Sequence, residues 1–295
     1  MRALGYEYRS NLLPPVHVRS FRKTGSHLKK IGPACLAAIV LVTPLRAADV
    51  QTPPASADNW VVSVGGMGTF SPDYPGSSKF SPGFMPSLSW HKEGETSSFS
   101  APEDGVDVSA YQSGPFAFGA TFGFDAGRYS RNDARLKGLN TVRWTIEPGI
   151  FAEYWPLANR FRTRMEVLHG MHKTDGLIVN LSADWVAKYG QFTLSGGPRV
   201  TFADRMQMKS RFGVSPVEAL ASGSFAPYAP RGGGQSVGFG LAQSYDISKS
   251  WTGTLYQHYD HYVGPAANSP LVVTGGSRNQ YTVGAGLVYS FKMGW

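Results

Sequence analysis

Two pairs of histidines are the first residues to consider for metal binding. His169 and His172 are three positions apart, and so are His258 and His261. On a helix this spacing would bring both imidazoles to one face, whereas on a strand it points them to opposite faces. The residues around both pairs alternate as in strands, so neither pair can close on one metal without a bulge. We therefore expect no metal and no cofactor, and interpret these histidines as interfacial and rim residues.

Nucleophilic catalysis is the second chemistry to consider. It needs a serine or threonine held against a base that a third group orients. Ser215, Ser222 and Ser224 lie in a stretch rich in Gly, Pro and Ser, and they are better explained as loop residues. We assign no catalytic residue and expect a protein without enzymatic activity, with an outer-membrane hydrolase as the third hypothesis.

A group of charges on two neighbouring predicted strands is more informative. If the apolar residues of these strands face outward, five charged residues point inward: Glu147, Glu153, Arg162, Arg164 and Glu166. One interpretation is a paired network that fills the interior, and the other is an aqueous pathway whose opposed charges filter small solutes. We favour the network, because buried charges are tolerated when they are paired.

Period-two alternation is the pattern that must position these charges. Phe116, Phe118, Phe122 and Phe124 stand at every second position with small or polar residues between them. This periodicity is typical of strands with one apolar face. We predict about twelve strands, with ten as the other possibility, at 59–70, 83–91, 98–111, 115–127, 143–155, 160–171, 176–187, 190–203, 205–213, 235–247, 250–263 and 279–295.

The end of the chain favours a membrane barrel over a soluble sandwich. Apolar residues occupy alternate positions up to the last residue, and four of them form a predicted assembly signal: Tyr289, Phe291, Met293 and Trp295. Strands can span a bilayer only in a closed barrel, because every backbone polar group must be paired there. The sequence therefore predicts an all-β fold, a transmembrane antiparallel up-and-down β-barrel that contacts outer-membrane lipids and the barrel assembly machinery.

The connections between strands predict two different rims. Long polar loops at 71–82, 214–234 and 264–278 all emerge opposite the chain termini, as in outer-membrane barrels. Residues 128–142 break this rule and are expected at the rim of the termini. Their basic side chains are candidates for contacting an acidic partner: Arg128, Arg131, Arg135 and Lys137.

The N-terminal region carries most of the excess charge. Residues 1–47 hold eight basic side chains and one acid, so the rest has 20 basic and 19 acidic residues. A basic region, a short apolar run and small residues, in that order, predict a signal peptide over 1–47. A short periplasmic segment (48–58) and the barrel (59–295) follow. The near-neutral remainder argues against a nucleic-acid partner, and Cys35, the only cysteine, lies in the signal peptide.

Several short motifs point to a known family. They are Pro72–Ser77, Phe84–Trp90, Phe212–Ser215, Ser269–Val272 and Gly286–Phe291. With them the sequence resembles the MipA/OmpV (MltA-interacting protein-like) family of Gram-negative outer-membrane proteins. The resemblance implies a non-catalytic scaffold in the outer membrane that binds murein hydrolase and synthase partners. A channel for small solutes is the alternative.

Overall fold

The computed structural model describes residues 59–94, 99–131 and 133–294. All of them belong to one of two units into which the chain divides, Pro53–Trp295. The predicted signal peptide (1–47), the periplasmic segment (48–58) and Trp295 lie outside the described residues. No helix in the described part has both the length and the hydrophobicity to cross a bilayer.

The described chain is an antiparallel sheet of eleven strands, which confirms the all-β prediction. The strands are β1 (Asn59–Pro72), β2 (Phe80–Lys92), β3 (Val106–Ser113), β4 (Phe116–Asp125), β5 (Thr145–Leu157), β6 (Phe161–His169), β7 (Leu177–Tyr189), β8 (Phe192–Ala203), β9 (Gly233–Asp246), β10 (Trp251–Tyr262) and β11 (Asn279–Gly294). Four helices and one 3-10 turn occupy the connections: Ala134–Leu136, α1 (Arg205–Phe212), α2 (Pro216–Ser222), α3 (Gly264–Ala267) and α4 (Pro270–Val273).

The first and last strands pair with each other and curl the sheet into a barrel wall. The β1–β11 ladder runs from Asn59 opposite Gly294 to Phe70 opposite Val283. Both ends of the described chain therefore lie at one rim, which we name the terminal rim; the opposite rim is the far rim. We name the space that the curled sheet encloses the lumen.

The edges of the sheet are β2 and β3, which lie at the two ends of the strand order. Their Cα atoms come within 8 Å of each other, and this approach is named the seam. Because each strand is antiparallel to its paired neighbours, β2 and β3 both run toward the terminal rim. The chain must therefore return from the terminal rim between them, and residues 99–105 do so inside the lumen. We name this stretch the inward segment.

The inward segment explains why eleven strands form where about twelve were predicted. The predicted third strand, 98–111, is correct only for its second half, because β3 starts at Val106. The preceding residues include Pro102, which cannot donate to a ladder, and two adjacent acids, Glu103 and Asp104, which bind arginines of the lumen. The odd strand number thus follows from a segment that could not face lipid.

The predicted ninth strand, 205–213, is wrong, because these residues form helix α1. Asp204 is the N-cap of this helix, and its side chain accepts a hydrogen bond from the backbone N–H of Gln207. Helix α2 follows directly with a capping box between Ser215 and Glu218. These side chains satisfy helix N–H groups that would otherwise have no partner, so the local sequence favours two helix starts over a strand.

The outer face of the sheet is apolar and aromatic, as predicted. The four alternating phenylalanines of β4 are 44–59% exposed, whereas Gly119 and Thr121 between them are buried. Outward rings also stack across strands, as Phe116 does on Tyr154 with ring centroids 4.8 Å apart. An apolar outer face around an enclosed polar interior is the arrangement of a membrane-spanning barrel.

Four long loops lie at the far rim and pack into a cap. Loops 71–82, 214–234 and 264–278 are there, as predicted. Their apolar side chains form a buried cluster with those of the β4–β5 loop: Tyr74, Leu136, Leu139, Val214, Phe225 and Leu271. The terminal rim carries short turns at 113–116, 157–161, 189–192 and 246–251. This asymmetry is typical of outer-membrane barrels.

The predicted position of loop 128–142 at the terminal rim is wrong, because the structure places it at the far rim. Strand β3 descends to the terminal rim instead of rising from it, and this reverses the direction of β4. The β4–β5 loop therefore emerges beside the other long loops. The error in the third strand thus caused the error in this loop.

The sequence of β2 is suited to a free edge at the seam. The backbone N–H of Glu93 donates to the carbonyl of Asn59 over 2.8 Å, so the backbone N–H groups of odd-numbered residues in this strand are directed toward β1. The backbone nitrogens of even-numbered residues are therefore directed toward the seam, and two of these residues are Pro82 and Pro86. Proline has no N–H, so the seam edge lacks two donors that would otherwise need a partner in hydrocarbon.

Candidate functional site

Arg162 of β6 is the centre of a charged network in the lumen. Its side chain is fully buried and reaches carboxylates from three parts of the chain. The Nη1 atom lies 2.7 Å from Asp104 of the inward segment and 3.0 Å from Glu153 of β5, and Nη2 lies 2.7 Å from Asp184 of β7. The guanidinium therefore ties two wall strands and the inward segment to β6.

Arg164 stands two residues further along β6 and also faces the lumen. It contacts Glu153 at 2.7 Å, Glu166 at 2.6 Å and Asp107 of β3 at 2.9 Å. The guanidinium carbon lies 4.4 Å from the ring centroid of Phe151, which adds a cation–π contact. Four of the five predicted lumen residues are thus brought together: Glu153, Arg162, Arg164 and Glu166.

Arg199 of β8 extends the network along the same wall, two strands from β6. Its Nη2 atom lies 2.7 Å from Asp184, and its Nε lies 2.6 Å from Glu103 of the inward segment. Asp184 therefore binds Arg162 with one oxygen and Arg199 with the other. The inward segment is therefore attached to two strands of the wall, to β6 through Asp104 and to β8 through Glu103.

The inward segment itself is held by polar contacts and a few apolar ones. Burial opposes the ionisation of Asp104, but the charges of Arg162 and Arg164 outweigh this and hold its pKa below the usual value. Its carboxylate also accepts a hydrogen bond of 2.7 Å from the backbone N–H of Ala101. Phe99 packs edge-on against Trp155, with ring centroids 6.2 Å apart, and lies under Arg162. The segment fills the lumen as an ionised partner of the wall arginines.

Glu147 is the one predicted lumen residue outside this network. It lies nearer the far rim, where its carboxylate is 3.8 Å from Arg211 of helix α1. Arg211 also lies 2.8 Å from Asp125. The predicted cluster is therefore divided in two, because an arginine that the sequence assigned to a strand comes from a helix inserted at the mouth of the barrel.

The network also contains residues that the sequence analysis missed. Glu103, Asp104 and Asp107 were assigned to one continuous strand, and their partners could not be inferred. The available signal was the run Pro102-Glu103-Asp104-Gly105, which places two acids and two strand breakers inside the predicted strand.

His258 lies on the inner face of β10 in a hydrogen-bonded chain. Its Nδ1 is 2.9 Å from the hydroxyl of Tyr256, and its Nε2 is 2.8 Å from Asp260. These residues are two positions apart, so all three side chains share one face of the strand. Tyr256 is 3% exposed and borders a space too small for a water molecule. A substrate therefore has no room beside Tyr256.

The other three histidines of the two predicted pairs lie outside this hydrogen-bonded chain. His261 binds Asn279, His169 binds the carbonyl of Gly170, and His172 binds the carbonyl of Trp144. Within the described ranges, no group of three or more His, Cys, Asp or Glu side chains is arranged to hold a metal ion.

One catalytic pattern was also missed. Residues Gly234–Gly238 read Gly-x-Ser-x-Gly, the motif of a nucleophile elbow. That motif needs a sharp turn between a strand and a helix, which exposes the serine. Here it lies within the extended strand β9, and Ser236 is 2% exposed. This serine cannot reach a substrate as a nucleophile.

The four basic residues of loop 128–142 have different environments at the far rim. Arg128 is buried and donates to the carbonyl of Arg211 over 3.0 Å, and burial lowers its pKa to about 10. Arg135 is paired with Asp133 at 2.7 Å. Arg131 is exposed and stacks over Tyr129, and Lys137 is exposed. Two of the four therefore hold the cap together.

Three of the four residues of the predicted assembly signal lie on β11, and the fourth, Trp295, is outside the described residues. Tyr289 and Phe291 are exposed on the outer face, and their rings stack with centroids 6.0 Å apart. Met293 is half-buried near the terminal rim. This part of the outer face pairs with β1, where Val64 and Val62 lie opposite the two aromatic residues.

The exposed charges of the described residues have one sign. Every aspartate and glutamate in this part of the chain is buried or half-buried, whereas fourteen lysines and arginines are exposed. Five of these cations lie at the terminal rim: Lys92, Arg160, Lys188, Lys249 and Lys292. The acidic side chains thus lie mainly inside the lumen and the cap, and both rims present a basic surface.

A small cavity of about 130 Å³ lies in the lumen beside the seam. Its lining combines aromatic residues such as Phe99, Phe151 and Trp155 with the carboxylates of Asp107 and Glu153. The rest of the lumen at this level is occupied by the inward segment and its arginine partners. The arrangement is therefore a barrel closed by its own side chains.

Comparison with known proteins identifies one family. A family model described as MltA-interacting protein MipA matches residues 64–291. This range begins within β1 and ends within β11, so it covers all strands from β2 to β10 and most of the first and last strands. No curated protein matches the chain.

Three solved structures are similar at low identity. An outer-membrane channel from Pseudomonas putida F1 is 10% identical, with a TM-score of 0.33, 84% of this chain covered and 100% of the channel. The toluene transporter TbuX of Ralstonia pickettii is 9% identical, with a TM-score of 0.28 and coverages of 81% and 90%. A porin is 13% identical, with a TM-score of 0.24 and coverages of 79% and 100%.

Proposed function

Because this chain belongs to the MltA-interacting protein MipA family, we propose that it acts in the Gram-negative outer membrane as a non-catalytic docking protein for murein hydrolase and synthase partners. The observation that carries this proposal is the closed lumen. Arg162 is fully buried against three carboxylates, one of them from the inward segment. A barrel filled by its own side chains leaves its rims as the surfaces on which other proteins can act.

The terminal rim is the surface that we assign to periplasmic partners. Outer-membrane barrels have short turns on the periplasmic side and long loops outside. The short turns of this barrel lie at the rim that holds both ends of the described chain, so we place that rim in the periplasm. Murein and its enzymes are found there. Loop 128–142 lies on the other rim, so the partner contact first assigned to it passes to the turns.

Three cations at the terminal rim form the proposed contact. Arg160, Lys188 and Lys249 are exposed and come from three successive turns. Lys188 lies 3.9 Å from Asp246 and is 67% exposed, so this surface ion pair constrains it little. Charged rims of this kind accelerate association with a partner of opposite charge and help to fix its orientation. The proposed partner surface is therefore acidic.

The test is charge reversal at the two rims. A variant with Arg160→Glu, Lys188→Glu and Lys249→Glu should lose co-purification of murein hydrolase and synthase from cross-linked envelopes. The matched control reverses three exposed far-rim cations, Arg131, Lys137 and Lys173, and should keep it. Retention of every partner by the first variant, or loss by the control alone, would refute the assignment to the terminal rim.

A further inference from the structure

We propose that the inward segment is a displaceable stopper, whose adjacent carboxylates Glu103 and Asp104 occupy an anion site on the lumen arginines. Displacement would open the lumen to small solutes that carry carboxylates. The inference goes beyond the docking function and starts from the same resting state, in which the lumen is filled by its own side chains. It rests on the topology of the segment, on its contacts and on the charge that it leaves behind.

The first step is topological. The inward segment is not part of the barrel wall, because all ten ladders of the sheet join strands outside it. Moving the segment out of the lumen would break no backbone pairing between strands. The segment also cannot become a twelfth strand at the seam. Glu103 and Asp104 are adjacent, so in a strand they would point to opposite faces, and one of the two acids would enter hydrocarbon. The segment can therefore leave the lumen only toward water.

The second step concerns the contacts. Glu103 binds Nε of Arg199 at 2.6 Å, and Asp104 binds Nη1 of Arg162 at 2.7 Å. These are the charge-assisted hydrogen bonds that arginine would make with the carboxylates of a solute. Glu103 also lies 4.0 Å from Nδ1 of His258 and borders Tyr256 on the inner face of β10. The segment thus behaves as an intramolecular ligand of the lumen wall.

The third step is the state of the wall once the segment has left. Arg162 retains Glu153 and Asp184, and Arg199 retains Asp184. The wall arginines therefore stay paired and keep their positions. Loss of two carboxylates frees one contact on each of Arg162 and Arg199, while four carboxylates still face the three lumen arginines. The vacated contacts should therefore take the paired carboxylates of a solute, which restore the charge balance of the resting lumen.

The apolar contacts that retain the segment are few. Phe99 packs against Trp155 and under Arg162, and Ala101 is buried. Most of the retention must then come from the two carboxylates, and a competing dicarboxylate can replace them at the same nitrogens. This is why we identify the solute by its paired carboxylates.

The experiment is single-channel recording of the full-length mature protein in planar bilayers. Wild type should give no steps, whereas Glu103→Gln with Asp104→Asn should give conductance steps. Glu93→Gln is the matched control, because this half-buried acid precedes the inward segment at the terminal rim and binds Lys292 outside the lumen network. It should stay closed. A silent double variant overturns the proposal.

Two further variants guard against misfolding. Replacing 99–105 with a Gly-Ser stretch of equal length removes the stopper without leaving polar amides in the network. A lock adds Ala101→Cys and Ala242→Cys, at positions that line one small space, to the double variant. Heat-modifiable electrophoretic mobility reports folding in each case. Folded Gly-Ser protein that stays silent, or locked protein that conducts equally when oxidised and reduced, also overturns the proposal.

The solute class has its own probe. The dipeptide Glu-Asp should raise the opening frequency of wild type, and Gln-Asn at the same concentration should not. An equal response to both dipeptides, or none to either, would refute the anion site, whatever the conductance of the variants.

Discussion

Nη1 of Arg162 lies 2.7 Å from Oδ2 of Asp104, and this contact joins the middle of strand β6 to a segment that crosses the lumen. The two residues are 58 positions apart in the chain. One contact thus explains both the odd number of strands and the closed interior.

The same arginine is the residue whose loss should cost most. Arg162→Gln leaves Glu153, Asp104 and Asp184 buried without their shared cation, and breaking such a pair costs about 3–5 kcal/mol. Urea denaturation of the protein folded in lipid vesicles measures this change in unfolding free energy. Arg160→Gln, two residues away but exposed at a turn, should change it by less than about 0.5 kcal/mol. Equal effects of the two substitutions would contradict the network.

The cap should loosen in acid through Asp133. Its hydrogen bonds to Arg135 are the largest cause of its lowered pKa, and they outweigh the effect of burial. A carboxyl with a lowered folded pKa stabilises the fold above its ordinary pKa of about 3.9 and loses that contribution as pH falls further. Hydrogen exchange at Leu136 and Leu139 should therefore accelerate below about pH 4. Asp133→Asn should abolish this pH dependence and Asp246→Asn should not.

Two glycines of the cap separate backbone strain from crowding. Gly138 has φ +87°, and a Cβ there would lie 2.5 Å from the carbonyl carbon of Ala221. Gly223 has φ +59° with no atom within 4 Å of that position. Gly223→Ala should cost about 1–2 kcal/mol from the left-handed backbone alone, and Gly138→Ala should cost at least about 1 kcal/mol more. Urea denaturation compares them, and similar costs would contradict the close contact of the two loops.

Membrane contact of the outer face is tested at Leu287. This side chain is 51% exposed on β11. Leu287→Arg should destabilise the protein in lipid vesicles by about 2–4 kcal/mol, because the charge enters hydrocarbon. Leu287→Phe keeps an apolar surface and serves as the control. A tolerated arginine would show that this face contacts water.

Assembly is tested at the end of β11. Phe291→Ser removes an outward ring from the predicted signal, so the fraction of protein inserted in the outer membrane should fall severalfold. Lys292→Ser, the next residue, changes the inner side of the same strand and should leave insertion nearly unchanged. Heat-modifiable mobility of membrane fractions measures both, and equal insertion of the two variants would exclude a role for this ring.

The strands could be predicted wherever one face contacts lipid, since alternation then continues for a whole strand, as in Phe116–Asp125. Prediction from alternation failed where neither face of a segment contacts lipid. Helix α1 depends on its cap at Asp204, and the inward segment on arginines far away in sequence. The lumen partners of β5 and β6 could be predicted from adjacent strands, but Asp104 could not, because nothing local brings it to Arg162.

The place of the seam has a further consequence for how the polypeptide can be rearranged. Asn59 and Gly294 already face each other across a ladder, whereas the break in pairing falls in mid-sequence. A circular permutant that joins these two residues by a short linker could start after Lys92, between the two edge strands β2 and β3. Its new ends would coincide with the natural edges of the sheet, and every backbone ladder of the parent would survive.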